Sequence, residues 1–243
     1  MLLFYIRHGR PCYNPDELKP AGRRQAEAVS LRLSKFGLDR IFVSTSTRAR
    51  QTAEPTAQKC GIEPVVMDWC NEAHAWEMGS VPRSLGNPSG PWCFGFQSQD
   101  CIRKFMDPEV LALGDRWFEH PYFKGTRFAE AVRYFDFGID RLLESLGYVH
   151  DRVTNTFTAR RHNDEHVALF AHEGVGSFVL SSILDIPYPF FASHFLIGWS
   201  SLTVIAFVPN EDGSVVPQVQ TLGNDSHLYK EGLSTVQQNG IGY

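Results

Sequence analysis

The sequence predicts an α/β fold: a three-layer α/β/α sandwich around a mostly parallel sheet, with an inserted cap region. Three observations lead there. Residues 1–68 alternate strand, helix, strand, helix, strand, the order of a parallel sheet with crossover helices. Two apolar runs, Leu2–Ile6 and Val167–Ala171, each run into a histidine with a glycine close behind it. Between them, from about 79 to 125, the texture changes to Pro, Gly, Trp and Phe, which reads as an insertion lying over the sheet edge. The whole of 1–243 is accordingly read as one domain carrying that insertion.

Taken in order, the first strand is 2–6. A helix follows from about Ala21 to Phe36, where Ala26, Val29, Leu33 and Phe36 recur at helical spacing and Gly37 stops it. Arg40–Val43 is a second strand, and the polar run Ser44-Thr45-Ser46-Thr47 after it suits a helix cap. A helix through Ala49, Ala53 and Ala57 ends at Gly61, and Val65–Met67 is a third strand. Inside the insertion only short helices are expected, at 100–105 and 108–118. An amphipathic helix spans Phe128–Leu146, stopped by Gly147, and the polar stretch His150–Glu165 is a hairpin or loop. Val167–Ala171 is a buried strand leading through His172-Glu173-Gly174 into a helix, Val175–Leu184. Strands at 201–208 and 215–221 follow, and the polar, glycine-rich tail beyond Gly223 is expected to fray.

Composition narrows the function classes. A chain of 243 residues, 43% hydrophobic and 21% charged, can bury a sizeable core. A net charge of −4 argues against nucleic acid as a partner, which makes local clusters of arginine more informative. Five cysteines at irregular spacing, with no C-x-x-C, indicate neither a zinc site nor a disulfide framework. The N-terminus lacks the basic and apolar regions of a signal peptide. Residues 174–210 carry one acid or base, Asp185, but Pro187, Pro189, His194 and Ser200-Ser201 interrupt them. A buried helix followed by a core strand fits that pattern better than a membrane span. The expectation is a cytoplasmic protein with no membrane or nucleic-acid partner; oligomeric state is left open.

The chemistry gathers at strand ends. Arg7 and His8 follow the first strand, Arg48 lies just past the second beside Ser44 and Ser46, and His172 follows the buried strand. In a parallel sheet these loops open on one edge, where ligands of open α/β sheets bind. Helices starting after Thr47 and after Gly174 would aim backbone N–H groups at the same place. Two arginines, two histidines and two helix N-termini make a site for a dianion, and phosphate fits best. Each residue also has a plainer reading. Arg7 and His8 can be a capped strand end; His74, His120 and His194 read as structural; the aromatic insertion reads as a small core. A metal cluster of His74, His172 and Glu72 has no ligand spacing that compels it.

With these motifs in view, the chain resembles the histidine phosphatase superfamily, also called phosphoglycerate mutase-like. The resemblance rests on Arg7-His8-Gly9 with Asn14 five residues past the glycine, and on Leu18-Lys19-Pro20-Ala21-Gly22-Arg23-Arg24-Gln25-Ala26. It rests further on Ser44-Thr45-Ser46-Thr47-Arg48 with Thr52-Ala53, and on Ala171-His172-Glu173-Gly174. It covers residues 2–184 and leaves the insertion and the tail unmatched. The resemblance implies that neutral His8 attacks phosphorus to form a phosphohistidine, while Arg7, Arg48 and protonated His172 hold the phosphoryl oxygens. Gly9 and Asn14 would also contact the substrate. A carboxylic acid after the third strand must protonate the leaving oxygen and then activate water; Glu72 is the choice and Glu77 the rival. No metal or organic cofactor is implied.

Within that family, the resemblance separates phosphatases from mutases. Mutases of this type usually carry Glu directly after Arg-His-Gly and an arginine after the acid; here Arg10-Pro11 and Ala73 stand there. These departures favour a phosphomonoesterase acting on a small phosphorylated metabolite, a phosphoric monoester hydrolase. The alternatives are a mutase-like phosphotransferase and a non-catalytic phosphate-binding module. Arg10 can reach a second acidic group of the substrate or point to solvent. Glu173, where small residues are common in the family, either supports protonation of His172 or repels substrate.

Overall fold

The computed structural model describes residues 1–84, 86–161 and 163–234. The chain begins with β1 (Leu2–Arg7), then a short antiparallel hairpin of β2 (Pro11–Tyr13) and β3 (Asp16–Leu18). Helix α1 (Pro20–Phe36) starts on a proline, which needs no partner for its missing N–H there, and ends at Gly37 with φ 71°. β4 (Arg40–Ser44) leads to α2 (Thr47–Cys60), whose first turn is capped by Ser46 accepting from the Ala49 N–H. β5 (Val65–Met67) and α3 (Glu72–Gly79), capped by Asn71, complete this half.

The insertion holds the hairpin of β6 (Ser80–Pro82) and β7 (Trp92–Phe94), then α4 (Gln99–Phe105) and α5 (Pro108–Leu111). The helix expected over 108–118 stops at Leu111; Gly114, at φ 54°, breaks it, and Gly114–Glu119 continues as a 3₁₀ turn. Phe105 and Trp117 are fully buried and pack with Phe123, Phe128 and Tyr188, so most of the insertion's aromatic content is core.

Helix α6 (Phe128–Ser145), the hairpin β8 (Tyr148–Asp151) and β9 (Thr156–Ala159), and β10 (His166–Ala171) follow. Then come α7 (Glu173–Leu184), starting two residues earlier than expected, α8 (Tyr188–His194) and β11 (Leu202–Ala206). The single strand expected over 215–221 is two. β12 (Ser214–Val215) pairs with β9, while β13 (Gln218–Asn224) joins the main sheet, because Pro217 between them cannot donate to a ladder. The tail does not fray at Gly223, since α9 (Ser226–Lys230) packs on α1; the expected fraying farther along falls outside the described residues.

The main sheet has the order β13-β11-β1-β10-β4-β5; β1, β10, β4 and β5 are parallel, and β11 and β13 close one side antiparallel. Side chains alternate across it. Leu3 and Tyr5 join the core with Ile139, Phe178 and Val179, while Phe4 and Ile6 join that with Val29, Leu33 and Ala53. Helices α6 and α7 therefore cover one face and α1 and α2 the other, which is why these strands read as continuous apolar runs. Register sets the site: Arg7 pairs with Ala171, so His8 and His172 leave the sheet side by side. Among the described residues no helix is long and apolar enough to cross a membrane.

Candidate active site

The loop after β1 is held by close backbone approach. A Cβ on Gly9 would meet the Gly22 carbonyl oxygen at 2.5 Å, and one on Gly22 would meet the Arg10 carbonyl oxygen at 2.2 Å. Only glycine at both positions lets α1 sit this close to the loop. Gln25 Oε1 accepts from the Arg10 N–H at 2.8 Å, and Thr52 Oγ1 accepts from the Gly9 N–H at 3.0 Å. Gly22 and Gln25 of the sequence motif thus shape the histidine loop.

His8 is buried, with Nδ1 2.7 Å from the Gly9 carbonyl oxygen. A carbonyl accepts only, so Nδ1 carries the proton and Nε2 the lone pair. Burial, then Arg7 and Arg48, holds the His8 pKa well below its ordinary value, against the weaker pull of the Gly9 carbonyl. The imidazole is neutral near pH 7 and fit to be a nucleophile.

The His172 ring lies 5.1 Å from that of His8. Arg48 Nη2 donates to His172 Nδ1 at 3.2 Å, so the ring proton sits on Nε2, 2.8 Å from Ser44 Oγ and 3.3 Å from Ser46 Oγ. The sequence reading expected a protonated His172. Instead burial, then His8, Arg48 and Arg7, lowers its pKa well below the ordinary value, because two arginines beside a buried ring disfavour a third cation.

Both arginines are fixed by acids. Arg7 donates to the Ile197 carbonyl at 2.6 Å and forms a buried ion pair with Glu173 at 3.0 Å. Arg48 pairs with Asp16 at 2.6 Å, and the other Asp16 oxygen accepts from the Thr47 N–H that starts α2. Each arginine keeps a buried Nε–H without a protein partner. Asp16 was not singled out in the sequence; its role joins segments 32 positions apart and leaves no local pattern. Tyr5 escaped notice for the same reason: its hydroxyl donates to the His172 carbonyl at 2.6 Å and pins that backbone.

Glu72 opens α3, and its two oxygens accept from the Gly174 and Val175 N–H groups at 2.9 and 3.0 Å. A Cβ on Gly174 would stand 3.1 Å from Glu72 Oε1 and 2.8 Å from the Phe94 ring, so the glycine after the second histidine makes room for the acid. Burial pushes the Glu72 pKa up to about 7, while those N–H bonds and both arginines restrain it. Burial also raises the Glu173 pKa, against Arg7.

A cavity of about 470 Å³ brings together Arg7, His8, Arg48, Glu72 and Glu173, with Tyr13, Asn71, Trp76, Phe94 and Gln97 also in its wall. His172 stands behind this wall against His8 and Arg48. Gly9 acts through its backbone. Two other expected contacts are not in the lining: Asn14 is exposed in the β2–β3 turn, and the Arg10 guanidinium lies 5.6 Å over the Trp199 ring. Glu77 is exposed and paired with Arg127 outside the cavity. His74 is tied to Asp68, and among the described residues no group of three or more His, Cys, Asp or Glu is placed to hold a metal. A larger groove of about 770 Å³ along α2 and β5 contains none of these residues.

Residues 3–82, which include Arg7, His8, Arg48 and Glu72, match the histidine phosphatase superfamily (branch 1). None of the curated proteins matches the chain. Among solved structures, a mycobacterial glucosyl-3-phosphoglycerate phosphatase superposes with a TM-score of 0.58 at 19% identity, over 91% of this chain and 98% of that one. A phosphoserine phosphatase from Entamoeba histolytica, a variant in complex with phosphoserine, gives 0.57 at 19% identity, over 93% and 98%. The same enzyme in complex with 3-phosphoglyceric acid gives 0.55 at 18%, over 93% and 98%. At such identities these likenesses show a shared fold. The family match itself is confined to residues 3–82, and over the rest of the chain the likeness is one of fold.

Proposed function

We propose that the protein is a phosphomonoesterase of small phosphorylated metabolites, working through a phosphohistidine on His8 without a metal ion. The observation that carries this is the His8 tautomer. Its Nδ1–H is held by the Gly9 carbonyl, so the Nε2 lone pair is available in a cavity flanked by Arg7 and Arg48. Nε2 attacks phosphorus as the ester P–O bond breaks, and Glu72 gives its proton to the leaving oxygen. Glu72, now a carboxylate, takes a proton from water; that water attacks the phosphohistidine, the P–N bond breaks, and orthophosphate leaves with His8 neutral again. Arg7 and Arg48 offset charge on the phosphoryl oxygens throughout, with His172 behind them accepting from Arg48. A bound dianion offsets the arginines that suppress protonation of His172, so that ring can gain a proton as substrate binds. The fold is shared with phosphatases of glucosyl-3-phosphoglycerate and of phosphoserine, which supports hydrolysis as the reaction.

The test is hydrolysis of p-nitrophenyl phosphate between pH 5 and 9 with excess chelator, for the wild type, His8→Ala and Glu72→Gln. Wild-type turnover survives the chelator, and His8→Ala loses at least about a thousandfold. An alkaline quench with labelled substrate leaves phosphate on the wild type and none on His8→Ala. Because Glu72 must be protonated and its pKa is about 7, kcat/KM falls as pH rises above that value. Glu72→Gln removes that limb and slows alkyl esters more than the p-nitrophenyl ester, whose leaving group needs little proton assistance. Turnover unaffected by His8→Ala overturns the proposal; phosphoryl transfer within a phosphoglycerate outrunning release to water replaces it with a mutase.

A further inference from the structure

Once the phosphoryl group is assigned to His8, Arg7 and Arg48, the rest of the cavity wall describes the alcohol. Among the described lining residues no third cation remains. Arg10 lies on Trp199, and Arg127 is taken by Glu77 and Glu130. The acidic groups left in the wall are Glu72, the proton donor, and Glu173, paired with Arg7, so nothing there balances a carboxylate on the alcohol. The remaining surface is aromatic. Trp76 lies one helical turn beyond Glu72 on α3, so the acid and the indole share a face. Its ring meets Phe94 edge-on at 5.1 Å, and Phe94 stacks on Phe96 at 5.1 Å with planes 8° apart. Tyr13, from the β2–β3 hairpin, lines the same cavity. These two large rings stay open to solvent, Trp76 at 45% and Tyr13 at 67% exposed, in a protein that buries most of its other aromatics. Asn71 and Gln97 add neutral hydrogen-bonding groups.

We infer that the substrate is a phosphomonoester of an uncharged, aryl-bearing alcohol, recognised by the Trp76–Phe94 wall and by Tyr13, and that carboxylated phosphoesters are poor substrates. The inference rests on the phosphatase reading above. A flat ring set against Trp76 covers exposed indole, places its ester oxygen one turn away at Glu72, and brings no charge to the two carboxyls. A phosphoester with a carboxylate on its alcohol loses the stacking and leaves that carboxylate without a cation in the wall.

The test compares 2-phenylethyl phosphate, β-glycerol phosphate and phosphoserine, all esters of alkyl alcohols, so an aryl leaving group's intrinsic reactivity does not enter. The expected kcat/KM for 2-phenylethyl phosphate is at least about tenfold above β-glycerol phosphate, with phosphoserine lowest. Trp76→Ala, at a half-exposed site, brings the phenylethyl-to-glycerol ratio back toward one. Phosphoserine turned over as well as 2-phenylethyl phosphate by the wild type overturns the inference and leaves the phosphatase intact. A ratio unmoved by Trp76→Ala overturns the assignment of the aromatic wall. Absence of turnover with all three esters while p-nitrophenyl phosphate is hydrolysed overturns this inference alone; absence of turnover with all four overturns the phosphatase reading as well.

Discussion

Glu173 decides how one arginine of the cavity behaves. Its ion pair with Arg7 has side chains only 9% and 4% exposed, respectively, so both charges have left water. Removing one partner of such a pair leaves the other buried without a counter-charge, at a cost of about 3–5 kcal/mol. Glu173→Gln is therefore expected to lower stability by roughly that amount in the absence of phosphate. It also takes a negative charge out of the His8 cavity, so orthophosphate is expected to inhibit the variant more tightly, with Ki lower by about three- to tenfold. Denaturant unfolding and product inhibition measure the two effects; a Ki unchanged or higher would sink this account. The sequence marked Glu173 as a departure and could not assign its partner, because Arg7 is far away in the chain and meets it only where β1 and β10 lie in register. The histidines and arginines were legible for the opposite reason: each sits at a strand end or helix start that its own neighbours announce. Asp16 and Tyr5, which hold Arg48 and His172 across the fold, carry no such local mark.

Where elements meet, α6, β8 and the end of α7 are joined by a charged clamp far from the cavity. His150, on β8, places Nδ1 3.1 Å from Asp140 on α6 and Nε2 3.1 Å from Asp185 at the end of α7. Arg152 reinforces Asp140 at 2.8 Å, and the imidazole stacks on Phe157 at 3.9 Å. Burial draws the His150 pKa down, but the hydrogen bonds to Asp140 and Asp185 outweigh it and the net shift is upward. A group whose pKa rises on folding contributes stability fully below its unfolded value, near 6.5, and loses it as pH rises through the folded value. His150→Phe keeps the ring stack and removes the charge. It should lower stability by about 1–2 kcal/mol at pH 5.5 and by much less at pH 9, read from denaturant midpoints. Equal losses at both values would show that the clamp acts by packing. At this scale, helices with a periodic apolar stripe and a glycine stop, α1, α2 and α6, could be placed from the sequence within a residue or so. Breaks set by single residues, Gly114 within 108–118 and Pro217 within 215–221, were passed over because apolar character continues across them.

Across the whole molecule, the cavity is where the layers meet. His8 extends β1, His172 follows β10, Arg48 lies in α2, and Glu72 binds the N-terminus of α7. β1 and β10 contribute to both cores, α2 packs on one face of the sheet and α7 on the other. A phosphate held by these residues ties both layers to the same strands. Ligand at about a hundred times its dissociation constant stabilises the native state by about 2.7 kcal/mol. For a chain of this size each kcal/mol raises Tm by about 2–4 °C, so orthophosphate at that ratio is expected to raise it by roughly 5–10 °C. Because the site joins both cores, tryptophan emission and far-ultraviolet circular dichroism should move together in one transition. Arg48→Ala should abolish the shift at the same phosphate concentration, since it removes a direct cation and the donor to His172 Nδ1. A shift seen by one probe alone would mean that phosphate stabilises a local segment. A shift of full size in Arg48→Ala would place the stabilising phosphate somewhere other than the His8 cavity.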